Sequence, residues 1–449
     1  MAGALTLKIL VGCALLGVSL AAPAQNVVIA NARIIDGRGN VIEHGSVVAK
    51  NGKIVSVASG AAPSGTAGQR IDAHGLTVMA GFIDAHRHIM HGNPTAWMKD
   101  HAAADMKSFV DAGFTTVFSM GDDPRAILDL RSRLASGAIL GPTLYAARIV
   151  PLSAPTPAAA GAASRGPYTD LARTDPARPP DRPTTAAPAI PDEDSRAAVR
   201  SAKEAGFDAI KTFMIVVPGG PESHTLAVIA DEAHKQGLRV FTHATAVPDA
   251  VAAVNAHVDV LAHTAHIGHL EEDESSRQTL LNAHVPMVST LAVFIPHFDA
   301  QNKPLFRDGG PFPMSRPLSS GGQGPVNARL LWEGGLAYAY GTDTQWDPRD
   351  SLRDELRALN LVFSPRDIIK IMGPDTAAAI GRSGELGTLE PGKTADMVIV
   401  EGDPLEDVFN LTHVVLVVKG GKVLSDARGK HRTGGWRSVS HSEKLFSPL

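Results

Sequence analysis

The chain has 449 residues, 44% of them hydrophobic and 20% charged, with a formal charge of −4. That is ordinary globular composition, long enough for a large core and more than one domain. It gives no electrostatic reason to expect nucleic acid or an anionic membrane as partner.

The first segment, MAGALTLKILVGCALLGVSLAAPAQN, sets Lys8 before an apolar stretch from Ile9 to Ala21 and then Ala22-Pro23-Ala24. A positive start, a short apolar core and a small-x-small end predict a secretory signal peptide over 1–24, cleaved after Ala24. The expected location is periplasmic or secreted. A retained anchor is the alternative, but the stretch is short for a span. Cys13 also fits a lipid-attachment box, though it comes early and the apolar run continues past it. It is the only cysteine, so a chain cleaved there has no disulfide and no thiol nucleophile.

From residue 25 to 79 short β-branched runs alternate with Gly and Asn. VVAKNGKIVSV predicts a hairpin, because Asn51-Gly52 suits a tight primed turn. Residues 384–427 read the same way, with Gly420-Gly421 at a turn. One small β-sandwich built from both chain ends is expected. Between them, over 80–383, eight apolar runs alternate with helical segments: VMAGFIDAH, TTVFSM, TLYAARIV, AIKTFMIV, RVFTHA, VDVLAHTA, VPMVST and LAYAYGTD. Strand and helix in alternation predict an α/β fold with a parallel sheet, and eight repeats favour a closed (β/α)8 TIM barrel. An open doubly wound sheet is the alternative, but no Gly-rich phosphate fingerprint follows any strand. Residues 151–191 hold ten of the 31 prolines and form no regular element. They are expected as an insertion at the barrel rim. Residues 428–449 read as a polar surface tail.

The chemistry gathers at strand ends. His86 and His88 stand two apart after VMAGFID, so they share a face with Arg87 opposite, and two imidazoles on one face can bind one cation. His243 ends the fifth strand, His263 the sixth and Asp343 the eighth; Lys211 lies inside the apolar fourth. Singly, each has a plain reading: a hydrogen-bonded core histidine, a lysine stem reaching solvent, an aspartate capping the next helix. Together they mark the barrel end where active sites lie. Tyr145 and Arg148, at the third strand's end, can reach a substrate there, Arg148 gripping a carboxylate or forming a rim ion pair. His266 and His269 can touch substrate or face solvent.

GFIDAHRH at the first strand and GTD at the last, with GELGTLEPGKTADMVIVEGDPLEDV near the end, resemble the metal-dependent amidohydrolase superfamily. The subtype is the one with two metal ions and a carboxylated lysine, similar to Xaa-Pro dipeptidase-like and imidazolonepropionase-like hydrolases. The resemblance implies that His86, His88 and Asp343 hold one metal and His243 and His263 the other. Lys211, carboxylated by carbon dioxide, bridges them. A carbamate oxygen suits divalent cations, whereas an ammonium is repelled. Zinc is the expected ion, with manganese or cobalt as fits. A water between the metals becomes the nucleophile, and Asp343 shuttles its proton to the leaving amine. The expected reaction is hydrolysis of a peptide-like or N-acyl amino acid amide in a small molecule. A cyclic amide, lactone or ester is the alternative, and a non-catalytic metal-binding barrel is the reading from another class. A homo-oligomer is left open.

Overall fold

The computed structural model describes residues 26–154, 185–294 and 319–428. The leader, most of the proline-rich insertion and the tail past Arg428 lie outside them.

Two sheets share the strands. The first is mixed and takes both chain ends: β1 (Val27–Ile35), β2 (Val41–Lys50), β3 (Lys53–Ser59), β4 (Gln69–Asp72), β5 (Thr77–Ala80) and, from the far end, β14 (Met397–Val400), β15 (Val414–Lys419) and β16 (Lys422–Asp426). Its hydrogen-bonded order is β16-β15-β14-β5-β1-β2-β3, with β4 beside β1. Both predicted hairpins form. Lys50 faces Lys53 across Asn51 and Gly52, whose φ of +50° and +75° are the left-handed values a primed turn needs. Val27, Ile29 and Val47 from one chain end share a core with Met397, Ile399 and Leu416 from the other.

The second sheet is the barrel: β6 (Phe82–Arg87), β7 (Phe114–Ser119), β8 (Thr143–Ile149), β9 (Ala209–Phe213), β10 (Arg239–His243), β11 (Val260–Leu261), β12 (Met287–Val288) and β13 (Tyr338–Ala339). Each pairs in parallel with the next. Between β13 and β6 the gap is bridged by Ala85 N–H to Tyr340 O (2.9 Å) and Asp343 N–H to His86 O (2.8 Å). The run VMAGFIDAH is not one strand. β5 pairs with β14 in the small sheet, and β6 opens the barrel. The break falls at Gly81, where a Cβ would lie 2.3 Å from Thr115 Oγ1, so only glycine lets the chain cross there.

Nine helices among the described residues carry the outer shell: α1 (Pro94–Asp100), α2 (Ala102–Asp111), α3 (Pro124–Ser136), α4 (Asp192–Glu204), α5 (Glu222–Lys235), α6 (Val247–Asn255), α7 (Glu274–Ala283), α8 (Ser319–Glu333) and α9 (Pro348–Leu359). α10 (Pro365–Lys370), a π-helical turn and the four-residue α11 (Thr376–Ala379) follow. α9 shows the local logic. Asp347 caps it by accepting from the N–H groups of Arg349 and Asp350, and Pro348 occupies the first turn. Ser351, Leu352, Glu355, Leu356 and Leu359 form its buried stripe, the i, i+4 pattern of a helix lying on a sheet. Each fully buried leucine there contributes roughly 1.5–3 kcal/mol. Inside the barrel Ile83, Ala85, Phe118, Ala147, Ala209, Phe241, Val260, Val288 and Ala339 form a dry plug. No described helix is long and apolar enough to cross a membrane.

Candidate metal centre

The site stands on that plug. Because strand side chains alternate, residues two or four positions beyond an inward core residue also point inward. Lys211 follows Ala209 and His243 follows Phe241 in this way, whereas Asp343 lies beyond β13 with φ +52°, outside the alternation. β6 departs from this. His86 comes directly after the core residue Ala85, and the pairing of β6 with β7 shifts register between Asp84 and Arg87. There the Asp84 carboxylate accepts the His86 N–H (3.0 Å). A bulge of this kind re-aims a side chain. It turns His86 into the barrel and Arg87 to the helix side, where its guanidinium lies 5.0 Å from the Phe109 ring of α2.

Two groups of donor atoms result. In the first, His86 Nε2 and His88 Nε2 both approach Asp343 Oδ1, at 3.2 and 3.1 Å. His86 Nδ1 donates to Ala262 O (2.8 Å), which leaves Nε2 as the free lone pair. Gly341 makes room, since a Cβ there would lie 2.9 Å from that of His86. In the second, His243 Nδ1 and His263 Nε2 face each other at 2.8 Å, while His263 Nδ1 meets Thr290 Oγ1 at 3.0 Å. Lys211 Nζ lies 3.5 Å from His86 Nε2. The groups touch: His86, His263 and Asp343 each offer one ligand atom within 4.8 Å of the others. Asp343 does not cap α9, a task Asp347 performs.

Electrostatics favours the ligand forms. Burial, then the neighbouring Lys211 cation, lowers His86 to about 4 and His243 to about 3. Burial, then His243, holds His263 well below its usual value. Burial also brings Lys211 down to about 7. It works against ionising Asp343, but His86 and His88 outweigh it and the carboxyl stays well below the usual range. Neutral imidazoles with converging lone pairs around a buried carboxylate are the donor set of a divalent metal such as zinc. The residues present therefore fit a metal centre.

The sequence-predicted substrate contacts separate. Tyr145 is at the wrong end of the barrel. The pairing of β8 with β9 sets Ile149 level with Lys211 and Ala147 level with Ala209, so Tyr145 lies four residues, roughly 13 Å, below the lysine. Its ring packs on Phe118 and lies beneath Arg382. Arg148 shares a face with Leu144 and Ala146, part of the core under the helices, the face away from Lys211. His266 is buried beside the site, stacked on Phe294 at 3.8 Å, and its Nδ1 has no hydrogen-bond partner among the described residues. His269 is exposed and pairs with Glu271.

Several bracing residues escaped the sequence reading. Asp84 accepts from Thr342 Oγ1 (2.7 Å). Arg87 donates to Thr342 (3.0 Å), Ser351 (2.9 Å), Thr344 and Trp346 O. Asp122 accepts from the N–H groups of Ile89 and Met90 just past His88. The available signal was the charge itself, in the otherwise apolar run FIDAHR.

Fold and site together define a metal-binding (β/α)8 barrel with a small companion sheet. Residues 77–424 match the amidohydrolase family, and the chain belongs to it. The imidazolonepropionase of Caldanaerobacter subterraneus subsp. tengcongensis is 28% identical over 200 residues, 42% of this chain and 41% of that protein. That of Thermoanaerobacter pseudethanolicus is 35% identical over 103 residues, 21% of this chain and 24% of that one. The chain thus aligns with less than half the length of these curated relatives. Among solved structures, a Xaa-Pro dipeptidase with methionine bound in its active site superposes with a TM-score of 0.70 at 22% identity, covering 89% of this chain and 100% of that one. Aspergillus niger ochratoxinase gives 0.67 at 19%, covering 90% and 96%. Both share the fold.

Proposed function

We propose that this protein is a binuclear metal hydrolase that cleaves an amide bond in a small-molecule substrate, peptide-like or an N-acyl amino acid. The observation that carries the reading is the convergence of four ring nitrogens on a buried carboxylate and a buried lysine at the barrel mouth. His86, His88 and Asp343 would hold one ion and His243 and His263 the other. Zinc is the expected metal. Lys211 is proposed to bridge the ions as a carbamate. Its Nζ lone pair forms a bond to the carbon of carbon dioxide, one C–O π pair moves to oxygen, and the nitrogen loses a proton. Burial helps by lowering the amine to about 7, so that the neutral, nucleophilic form is well populated near that pH.

When bound, the divalent ions supply an activated water and polarise the scissile carbonyl. The chain's own residues do the rest. Asp343 takes the proton of the attacking water on a carboxylate oxygen and passes it to the leaving nitrogen. His86 and His88 flank that carboxylate at 3.2 and 3.1 Å. The plug beneath keeps bulk water from the floor, which strengthens every charge interaction above it. His266 is the proposed substrate contact. The similarity to imidazolonepropionases favours a cyclic amide as the second reading. We also propose export on the leader at 1–24, to the periplasm or outside.

The test is hydrolysis of dipeptides, N-acyl amino acids, cyclic amides and lactones by the zinc-loaded protein, with metal content measured on the same sample. Two metals per chain and amide turnover abolished in Asp343→Asn are expected. Turnover confined to lactones overturns the substrate class. A folded protein that takes up no metal overturns the reading.

A further inference from the structure

Glu355 has no place in the chemistry above, yet it is fully buried. It sits in the buried stripe of α9, one turn after Ser351. Its two oxygens accept two consecutive backbone N–H groups, Leu291 (3.0 Å) and Ala292 (2.8 Å). A buried carboxyl is costly, and a leucine would fill the same space at less cost. The gain is geometric: one rigid pair of acceptors fixes the turn that follows β12, whose Leu291 and Ala292 amides it takes up. Thr290, just before those amides, has φ +39°, a strained value for a β-branched residue. Its N–H donates to Gly341 O (3.0 Å), and its hydroxyl sits 3.0 Å from His263 Nδ1. Four residues on, Phe294 stacks on His266 and lies edge-on to His263.

We propose that Glu355 is a positioning residue for the second ligand pair: through the Leu291–Ala292 clamp it fixes Thr290, which orients His263 toward His243. With its proton on Nδ1 and donated to Thr290, the His263 ring keeps the Nε2 lone pair aimed at His243 Nδ1. Ser351 serves the other half of the site. It contacts Arg87 and Thr344 Oγ1, both at 2.9 Å, on either side of His86–His88 and Asp343. Two buried polar groups a helical turn apart on α9 thus brace the two halves separately. The inference rests on the metal-centre reading above.

The experiment is a cobalt titration of the metal-free full chain, followed by visible absorption and metal analysis. It compares wild type with Glu355→Gln, Thr290→Val, Thr290→Ser and Ser351→Ala. Wild type is expected to take up two equivalents. Glu355→Gln and Thr290→Val should each weaken one equivalent by about tenfold or more, the usual effect of removing a partner behind a metal ligand. Thr290→Ser keeps the hydroxyl and should restore it, and Ser351→Ala should leave that equivalent unchanged. Wild-type affinities in both Glu355→Gln and Thr290→Val overturn the proposal, as does a loss in Ser351→Ala matching that in Glu355→Gln. Thr290→Val alone decides the link if Glu355→Gln does not fold. Wild type taking up no cobalt removes the metal reading itself, a different failure from two equivalents that ignore Glu355.

Discussion

The two halves of the candidate metal centre are braced in different ways. His86, His88 and Asp343 are surrounded by polar groups, two of them charged: Asp84, Arg87, Thr342, Thr344 and Ser351 form one buried network linking β6 to the segment after β13. His243 and His263 have a hydroxyl and a clamped turn instead. The first half draws most of its support from residues next in sequence to its candidate ligands, with Ser351 of α9 added to them. The second borrows it from α9, a helix that begins after the last strand. Local support needs only a strand of the right composition, whereas borrowed support needs the barrel closed and the shell packed.

Four changes would break or sharpen that contrast. Asp343→Asn keeps the shape of the first half and removes its proton shuttle; amide hydrolysis should fall by about a hundred- to ten-thousand-fold, read as kcat. Arg87→Met should destabilise by about 3–5 kcal/mol, because it strips a cation from a buried network. The loss would appear in denaturant midpoints, and Asp84→Asn in the same chain should recover part of it. Full recovery by the second change would mean that the pair holds no geometry. Chelation should lower thermal stability relative to protein in metal at a hundred times Kd, by about 2.7 kcal/mol. An unchanged Tm would say that the ligand sets are rigid without ions.

The smallest effect concerns pH. Burial raises Glu355 to about 7 from an ordinary value near 4.5. A carboxyl raised on folding contributes stability in full below its unfolded pKa, and that stability is lost as pH rises through the folded one. The Tm advantage of wild type over Glu355→Gln should therefore shrink between pH 4.5 and 7. An advantage that grows over that window would mean the carboxyl is ionised throughout.

Much of this was legible because periodicity and strand-end position are local. All eight barrel strands follow from apolar runs, and five of those runs carry the His, Lys or Asp residues that gather at one barrel end. What failed depended on closure. Tyr145 looked like a rim residue because its run ended nearby, but stagger between neighbouring strands belongs to the closed barrel, and no single run encodes it. The split at Gly81 was hidden because both flanking strands are apolar. Glu355 looked like one more helix charge; only the packing of α9 on the β12 turn shows what it holds.

The small sheet carries a consequence in time. β5 takes its partner from β14, with Val78 paired to Ile399. A ribosome adding about 5–20 residues per second needs roughly 15–60 s to cover that interval. Until then β5 carries an unsatisfied edge immediately before the strand that bears His86. The emerging chain must keep that edge from foreign strands, or be kept from them, before its own last strands arrive.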